Sequence, residues 1–267
     1  MFDLVIHLIL IIISVCVAYP ILHVTAIAFS DRYAIMANEV SIFPKGFTLE
    51  SFTYILEQGK VFRAFGNSVF YTVLGVFINV AMTVIMAYPL SKTDLVGRSV
   101  LMKMILFTMF FSGGTIPTYL VVKELHLLDT VWSLVLPNAV WTMDLIVMIS
   151  FYQSIPGSLY EAAYLDGASE FQIVRKVAIP LSKASIASIA LFYFMGHWNS
   201  YFLPMLYLFD QKKYPLQLVL RSMLLESSGT TSGASVLAET ALTPTGVKNA
   251  TIVLIMIPVL LVYPFAQ

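Results

Sequence analysis

Long runs of apolar residues with at most one charge set the strongest limit on what this chain can fold into. Six runs are long enough to cross a membrane as helices, since a crossing takes about 20 residues and a helix satisfies its own backbone hydrogen bonds in lipid. The predicted spans cover residues 4–30, 64–91, 100–122, 130–153, 184–209 and 249–267. The sequence therefore predicts an all-α integral membrane protein, with residues 1–267 as one transmembrane domain.

Composition agrees with a membrane protein and argues against other classes. The chain is 59% hydrophobic and 11% charged, whereas soluble domains carry about 25% charged residues. The net charge of zero gives no basis for binding nucleic acid, and the single Cys16 cannot form an internal disulfide.

The first run lacks signal-peptide features and is expected to be a retained helix. The last run stops at "YPFAQ" without a basic flank, and we expect a short native tail after it.

Loop charge gives only a weak indication of orientation. An even number of spans places both ends of the chain on one side, and the loops then carry nine basic residues on one side against six on the other. Basic residues are usually enriched in short cytoplasmic loops, and the rule gives little weight to long loops. The short turn "KTDLVGRSVLMK" is densely basic, which favours a cytoplasmic position for residues 154–183. The opposite orientation stays open on charge alone.

A polar segment, "YEAAYLDGASEFQIVRKVAIP", separates the fourth and fifth spans. Ser158 and Glu161 form a capping-box pattern that predicts a short helix, and Gly167 can end that helix. The small side chains of Ala162 and Ala163 would let another surface come close to this helix. It therefore suits a docking role, and an ordinary solvated loop is the alternative.

A second capping-box pattern follows at Ser169 and Gln172. It predicts a second helix that runs to about Ile179 and stops at Pro180, because proline cannot continue a helix. The residues predicted to share one face of this helix are Phe171, Val174 and Ala178. The segment is thus predicted to be a helix-turn-helix outside the membrane.

"EAAYLDGAS" followed by "IPLSKAS" resembles the EAA motif of ABC-importer permeases, with Glu161, Ala162, Ala163 and Gly167 at the matching positions. "FTMFFSGGTIPTYLVVKELHLLDTVW", "LFYFMGHWNSYF" and "IPVLLVYPFAQ" extend the resemblance to maltose-type carbohydrate permeases, in the subgroup for complex oligosaccharides and polysaccharides. The sequence departs from the family at three places: Tyr164-Leu165 replaces a common Arg-Ile, Ile149 a common arginine and Ala184 a common proline.

The resemblance implies a MetI-like fold of six helices, with residues 154–183 holding a cytoplasmic coupling helix that docks on an ATPase. The residues it assigns to ATPase coupling are Ser158, Glu161, Ala162, Ala163, Asp166 and Gly167. The implied assembly contains a second permease in a heterodimer, two ATPase subunits and an extracytoplasmic solute-binding protein. Its place is the bacterial cytoplasmic (inner) membrane.

The sequence lacks the motif that ATP hydrolysis would need. A phosphate-binding loop reads G-x-x-x-x-G-K-[ST], but the Gly59-Lys60 pair is followed by Val61 and has Tyr54 where the motif needs its first glycine. We expect ATP and Mg to bind in the partner ATPase, and no cofactor, metal or catalytic residue in this chain. It is therefore predicted to be a transport subunit and not an enzyme.

Two groups of residues are candidates for the translocation path. Gly113, Gly114 and Pro117 interrupt the third span, and a helix break at membrane depth either lines a cavity or is buried in protein. The candidates for sugar contact on the fourth and fifth spans are Asn138, Trp141, Asp144, Tyr193, His197, Trp198 and Asn199. The first three would share one helix face. Packing kinks, interface anchoring and hydrogen bonds between helices are the alternatives.

Isolated charges suggest an alternative function and a substrate class. Asp144 is an intramembrane carboxyl, so an ion-coupled secondary transporter is the alternative function. A receptor or assembly scaffold is a second alternative, which does not depend on this charge. A collar of basic side chains near the outer face would favour an acidic oligosaccharide, such as an alginate- or pectin-type oligouronate, and ordinary lysines of a solvated loop are the alternative. The collar residues are Lys123, His126, Lys212 and Lys213. The exact sugar stays open.

Overall fold

A computed structural model describes residues 2–57, 59–228 and 243–266 of the chain. All regular elements in these residues are helical. In chain order they are α1 (Phe2–Ala28), α2 (Arg32–Met36), α3 (Glu50–Glu57), α4 (Lys60–Ser91), α5 (Arg98–Phe110), α6 (Thr115–Glu124), α7 (Trp132–Val135), α8 (Thr142–Ser154), α9 (Gly157–Leu165), α10 (Glu170–Ile173), α11 (Ile179–Leu181), α12 (Lys183–Trp198), α13 (Phe202–Tyr207), α14 (Leu216–Ser228) and α15 (Pro244–Ala266). Leu136–Asn138 and Gln211–Lys213 form 3-10 helices, and Val174–Ala178 forms a π-helix.

The long helices coincide with the apolar runs of the sequence. Among the described residues, α1, α4 and α15 are each long and apolar enough to cross a membrane alone. Three more crossings are possible if each bent pair of helices counts as one span. These pairs join α5 to α6, α7 to α8, and the segment Glu170–Leu181 to α12, with bends of 115°, 52° and 81°. Helical spans are confirmed, and their number of six stays a prediction.

Besides the run 100–122 with its glycines, two predicted runs are not continuous helices. In the run 130–153, a 3-10 turn follows α7 and Trp141 has an extended backbone, with φ −91° and ψ 126°. In the run 184–209, α12 ends at Trp198 and α13 begins only at Phe202. Apolar composition alone gave no sign of these interruptions, because it reports burial in lipid and not the path of the backbone.

The chain divides into two compact units, residues 1–66 with 215–265, and residues 67–214. In the first unit, Asp31 caps α2 by accepting a hydrogen bond from the Ala34 N–H at 2.7 Å, and the rings of Phe29 and Phe47 stack at 5.5 Å. The second unit contains the predicted site residues. The Ser/Gly-rich stretch 227–235, which we expect to be flexible, falls almost entirely outside the described residues. The single domain stays a prediction.

The two capping boxes have different outcomes. Ser169 caps α10 as predicted: its Oγ accepts from the Gln172 N–H, and Gln172 Oε1 accepts from the Ser169 N–H at 2.9 Å. The Ser158 box is wrong, because α9 begins at Gly157 and its N-cap is Pro156. Ser158 therefore lies inside the first turn, where its hydroxyl cannot cap.

This difference supplies a matched pair of substitutions. We expect Ser169→Ala to weaken α10 by about 1 kcal/mol, the usual cost of losing an N-cap, while Ser158→Ala changes little. Amide hydrogen exchange of residues 170–178 in the purified protein measures the effect, and about fivefold faster exchange in Ser169→Ala alone is the expected result. Equal exchange in both variants would contradict the capping role.

Candidate functional site

Helix α9 presents the residues predicted to dock on a partner. Glu161 and Ala162 are exposed along the helix, and Ser158 is exposed in its first turn. Asp166 is the C-cap residue and is exposed too. The small Ala162 beside a carboxylate leaves one side of α9 open to close approach.

The turn after α9 has the form that Gly167 predicted. Gly167 has φ 74°, a conformation that side chains disfavour. Its N–H donates to the Tyr164 carbonyl at 3.0 Å, and the Ala168 N–H donates to the Ala163 carbonyl at 3.0 Å. This pair of bonds is a Schellman motif, which satisfies the last carbonyls of α9 and fixes the direction of the chain into α10.

The other side of α9 belongs to a hydrophobic core. Tyr160 is buried in a cluster with Tyr88 of α4, Tyr152 of α8 and Ile173 of α10, and Ala163 packs against it. Ala163 is thus half-buried against its own chain, whereas Ala162 is exposed, and the docking role of the two alanines stays a prediction. Substitutions that probe docking therefore belong at Ala162.

The segment after α10 differs from the predicted second helix. The helix does not stop at Ile179 but continues through Leu181, because Pro180 lies in the first turn of α11, where no N–H is needed. The π-helix before it also changes which residues share a face. Ala178 is buried, whereas Phe171 is 73% exposed, so the predicted face is wrong for Phe171.

Tyr193 connects three of the helical segments around the predicted path residues. Its hydroxyl lies 2.8 Å from Thr83 Oγ1 of α4 and accepts the Trp141 N–H at 3.0 Å. The rings of Tyr193 and Trp141 are 4.9 Å apart. The hydroxyl thereby replaces the backbone acceptor that Trp141 loses where the helix is interrupted.

Sequence analysis missed a polar stripe on α4 that faces these residues. Its members, spaced by three or four positions, are Ser68, Thr72, Gly75, Asn79 and Thr83. The four side chains are all buried, and Asn79 Nδ2 donates to the Asn138 carbonyl at 3.1 Å. Small and polar residues at helical spacing within an apolar run were the available signal, since such residues mark contacts between membrane helices.

Two glycines allow the helices to approach closely. A Cβ atom on Gly75 of α4 would lie 2.5 Å from Nε2 of His197 on α12. A Cβ atom on Gly196 of α12 would overlap the Trp141 ring. His197 and Trp141 therefore fill the space that the absent side chains leave.

The remaining path candidates are in different settings. Asp144 is buried in the first turn of α8, where the helix dipole favours a carboxylate, and Trp198 is buried as well. Asn138 and Asn199 are exposed. The shared helix face predicted for Asn138, Trp141 and Asp144 is wrong, because the helix is interrupted between the first two. A role of these residues in sugar transport stays a prediction.

The glycine interruption of the third run is confirmed as a break between α5 and α6. Gly114 has φ 88°, and both Gly113 and Gly114 are exposed. Pro117 in α6 borders a cavity of about 400 Å³ whose wall also includes Leu136 and Pro137. The place of this cavity on a translocation path stays a prediction.

The basic collar is partly neutralised. Lys213 Nζ forms an ion pair with the Asp129 carboxylate and donates to the Asp129 carbonyl at 2.8 Å. The hydrogen bond from Lys213 is the main reason why the pKa of Asp129 lies below its usual value. Lys123, His126 and Lys212 are exposed. Of the four residues in the predicted collar, these three are exposed, whereas the charge of Lys213 is paired with Asp129.

The segment around Lys213 is also bonded to one end of α4. Asn67 Nδ2 donates to the carbonyls of Lys212 and Tyr214, at 2.8 and 3.1 Å. The Tyr71 hydroxyl donates to the Lys213 carbonyl at 2.9 Å. Three hydrogen bonds thus hold residues 212–214 against α4.

Known proteins resemble this chain over nearly its whole length. No model of a known protein family matches it. The polygalacturonan/rhamnogalacturonan transport system permease protein YtcP of Bacillus subtilis is 40% identical over 100% of this chain and 94% of its own. Protein LplC of the same organism is 42% identical over 93% of this chain and 84% of its own.

A solved structure agrees with these relatives. It is the crystal structure of a bacterial ABC transporter involved in the import of the acidic polysaccharide alginate. One of its chains superimposes with a TM-score of 0.94 and 33% identity, covering 100% of this chain and 95% of that chain. The chain belongs to the permease subunits of ABC carbohydrate importers.

Membership of this family confirms several predictions. The permease is a multi-pass protein of the bacterial cytoplasmic membrane and a transport component, not an enzyme. As an ABC importer subunit it works with an ATPase and a substrate-binding protein. The ion-coupled alternative at Asp144 loses its support, since these relatives are subunits of ATP-driven importers.

Proposed function

We propose that this permease imports an acidic oligosaccharide and that α9 is the coupling helix through which an ATPase subunit drives transport. An exposed apolar pair beside the Gly167 turn carries the proposal for α9. Leu165 is 89% exposed and Phe171 is 73% exposed. Large apolar side chains that are exposed outside the spans are typical of a protein interface. On the same helix as Leu165, Glu161 adds a negative charge, and the small Ala162 lets a partner come close to the backbone.

The proposed arrangement has six crossings with α9 on the cytoplasmic side. Each bent pair of helices then contributes one crossing, which adds three to α1, α4 and α15; in the last pair α12 makes the crossing and Glu170–Leu181 stays outside the membrane. The breaks within these crossings are tolerated where protein side chains replace the lost backbone bonds. Tyr193 does this for Trp141. Residues 212–214 then face the outside, where the binding protein docks.

The proposed assembly contains a second permease and two ATPase subunits, which bind ATP and Mg. Helix α1 supports the need for a further membrane partner or lipid, since none of its most apolar window is buried by the described residues. In α4 the corresponding share is 28%. The heterodimer with a second permease covers part of this surface, and lipid covers the rest.

The proposed substrate is an oligouronate of the pectin or alginate type. Two relatives support this class. YtcP is named as a polygalacturonan/rhamnogalacturonan permease, and the solved structure is of a transporter involved in the import of alginate. The exposed Lys123, His126 and Lys212 add positive charge on the proposed outer face. Attraction between this face and uronate carboxylates would raise the local concentration of substrate and fall with added salt.

ATPase activity of the complete importer in proteoliposomes tests the substrate. The permease is reconstituted with its partner permease, ATPase and binding protein, and oligogalacturonate is compared with a neutral maltooligosaccharide. We expect oligogalacturonate to stimulate ATP hydrolysis severalfold and the neutral sugar to leave it at the basal rate. Stimulation by the neutral sugar alone would overturn the substrate class but leave the coupling role of α9 intact.

A further inference from the structure

A cluster of tyrosines and two charges connects α9 to the end of α4, and the proposed function does not use it. The Glu170 carboxylate is held at both oxygens. Oε2 accepts from the Tyr88 hydroxyl at 2.7 Å, and Oε1 accepts from the Tyr164 hydroxyl at 2.7 Å. Hydrogen bonds to a charged acceptor are roughly twice as strong as those between neutral groups. Glu170 therefore links two elements firmly.

Lys92 adds the opposite charge to the same cluster. Its Nζ lies 3.8 Å from the ring centroid of Tyr160, 5.0 Å from that of Tyr88 and 5.5 Å from that of Tyr164. An ammonium group over aromatic faces is attracted by their negative charge density. The cation is thus held by rings from both helices, close to the carboxylate.

The cluster joins the helix that meets the ATPase to the helix that carries the polar stripe. Tyr88 lies near the end of α4 and Lys92 directly follows it, Tyr160 and Tyr164 belong to α9, and Glu170 begins α10. Tyr88 and Tyr160 are buried in the core that these helices share. Packed helices resist deformation, so a bonded contact between them can carry the movement of one helix to the other.

Tyr164 takes part in this contact through its phenol hydroxyl, which reaches Glu170 from the last turn of α9. Hydrogen bonds from Tyr164 and then from Tyr88 are the main causes that hold the pKa of Glu170 below its usual value. The carboxylate stays charged at neutral pH, and the linkage weakens only as pH falls through that lowered pKa.

We propose that Tyr88, Tyr164 and Glu170, with Lys92, are positioning residues that transmit movement of α9 into α4 during transport. This proposal rests on the proposed coupling role of α9 and goes beyond it by naming the contact that carries the motion. None of these residues needs to touch the sugar or the nucleotide. Their effect is on how far α4 responds when the ATPase moves α9.

Isosteric substitutions can remove the linkage while they keep the core filled. Tyr88→Phe and Tyr164→Phe each delete one hydroxyl, and Glu170→Gln removes the charge. Tyr152→Phe is the matched control, because Tyr152 is buried in the same core and its hydroxyl has no hydrogen-bond partner in the described residues. A merely structural role would affect folding and assembly in proportion to stability.

The response of α4 is measured in the assembled importer, without dependence on the sugar. A cysteine replaces Phe77, an exposed residue of α4, in a Cys16→Ser background. Its labelling rate with a thiol reagent is compared with and without ATP and vanadate. We expect Glu170→Gln and the double Tyr88→Phe, Tyr164→Phe variant to reduce the ATP-driven change in this rate severalfold, and Tyr152→Phe to keep it.

The outcomes separate this proposal from the one on which it rests. Assembled Glu170→Gln and double-tyrosine importers that respond like the parent, or a parent whose α4 does not respond at all, would overturn the linkage. The same follows if Tyr152→Phe loses as much response. If Ala162→Trp abolishes the response while the linkage variants keep it, only the linkage fails. If Ala162→Trp itself changes nothing, the coupling role of α9 fails.

Discussion

Replacing Gly196 with alanine is expected to destabilise the permease strongly. The added Cβ would overlap the Trp141 ring, and this ring cannot swing away easily because it packs against Tyr193, whose hydroxyl binds the Trp141 N–H. Overpacking a core typically costs about 1–3 kcal/mol. Here the indole and the interrupted helix would have to move together, so we expect the upper part of that range.

Thermal stability and yield of the purified permease measure this effect. Gly66→Ala is the matched control, since a Cβ at Gly66 in α4 meets no atom within 4 Å. Alanine is also the better helix former, so this control should equal or slightly exceed the parent in stability. A Gly196→Ala protein as stable as the Gly66→Ala protein would show that α12 and Trp141 do not pack as described.

Ala162→Trp is expected to uncouple ATP hydrolysis from uptake. Ala162 is exposed on α9, so the indole leaves the permease core undisturbed but blocks close approach of the ATPase. We expect uptake by the reconstituted importer to fall at least about tenfold, a change of about 1.4 kcal/mol or more in the docking contact. Basal ATP hydrolysis should remain, because the ATPase active site is in another chain.

Ala162→Ser is the control for this substitution, as it keeps a small side chain at the same place. Its uptake should remain within about twofold of the parent, which corresponds to the few tenths of a kcal/mol typical of surface changes. The two quantities to compare are uptake and ATP hydrolysis in the same proteoliposomes. Normal uptake by Ala162→Trp would remove α9 from the coupling mechanism.

The spans and the turn beside the docking helix were predictable because their causes are local. Apolar runs specify helices in lipid, Gly167 specifies a left-handed turn, and Ser169 with Gln172 specifies a cap. Ser158 shows the limit of such patterns. Ser158 and Glu161 have the same spacing as Ser169 and Gln172, but Ser158 does not cap a helix, because α9 begins one residue before it, after Pro156.

The interior of the site was less predictable because its causes are distant in sequence. Where Trp141 leaves the helix, a hydroxyl 52 positions away accepts its N–H. The linkage at Glu170 likewise joins residues 82 positions apart. A single sequence read in local windows contains no signal for such pairs, although the small and polar spacing on α4 could have drawn attention to that helix.

Helix α4 is bonded at both of its ends. Near its start, Asn67 and Tyr71 hold the segment 212–214, and near its finish Tyr88 holds Glu170. If a partner at the first end and a partner at the second end each bind unequally to two positions of this one helix, then by thermodynamic reciprocity each changes the binding of the other by the same factor. Binding of the solute-binding protein on one side of the bilayer would then change the affinity for the ATPase on the other side through α4 alone, before any sugar enters.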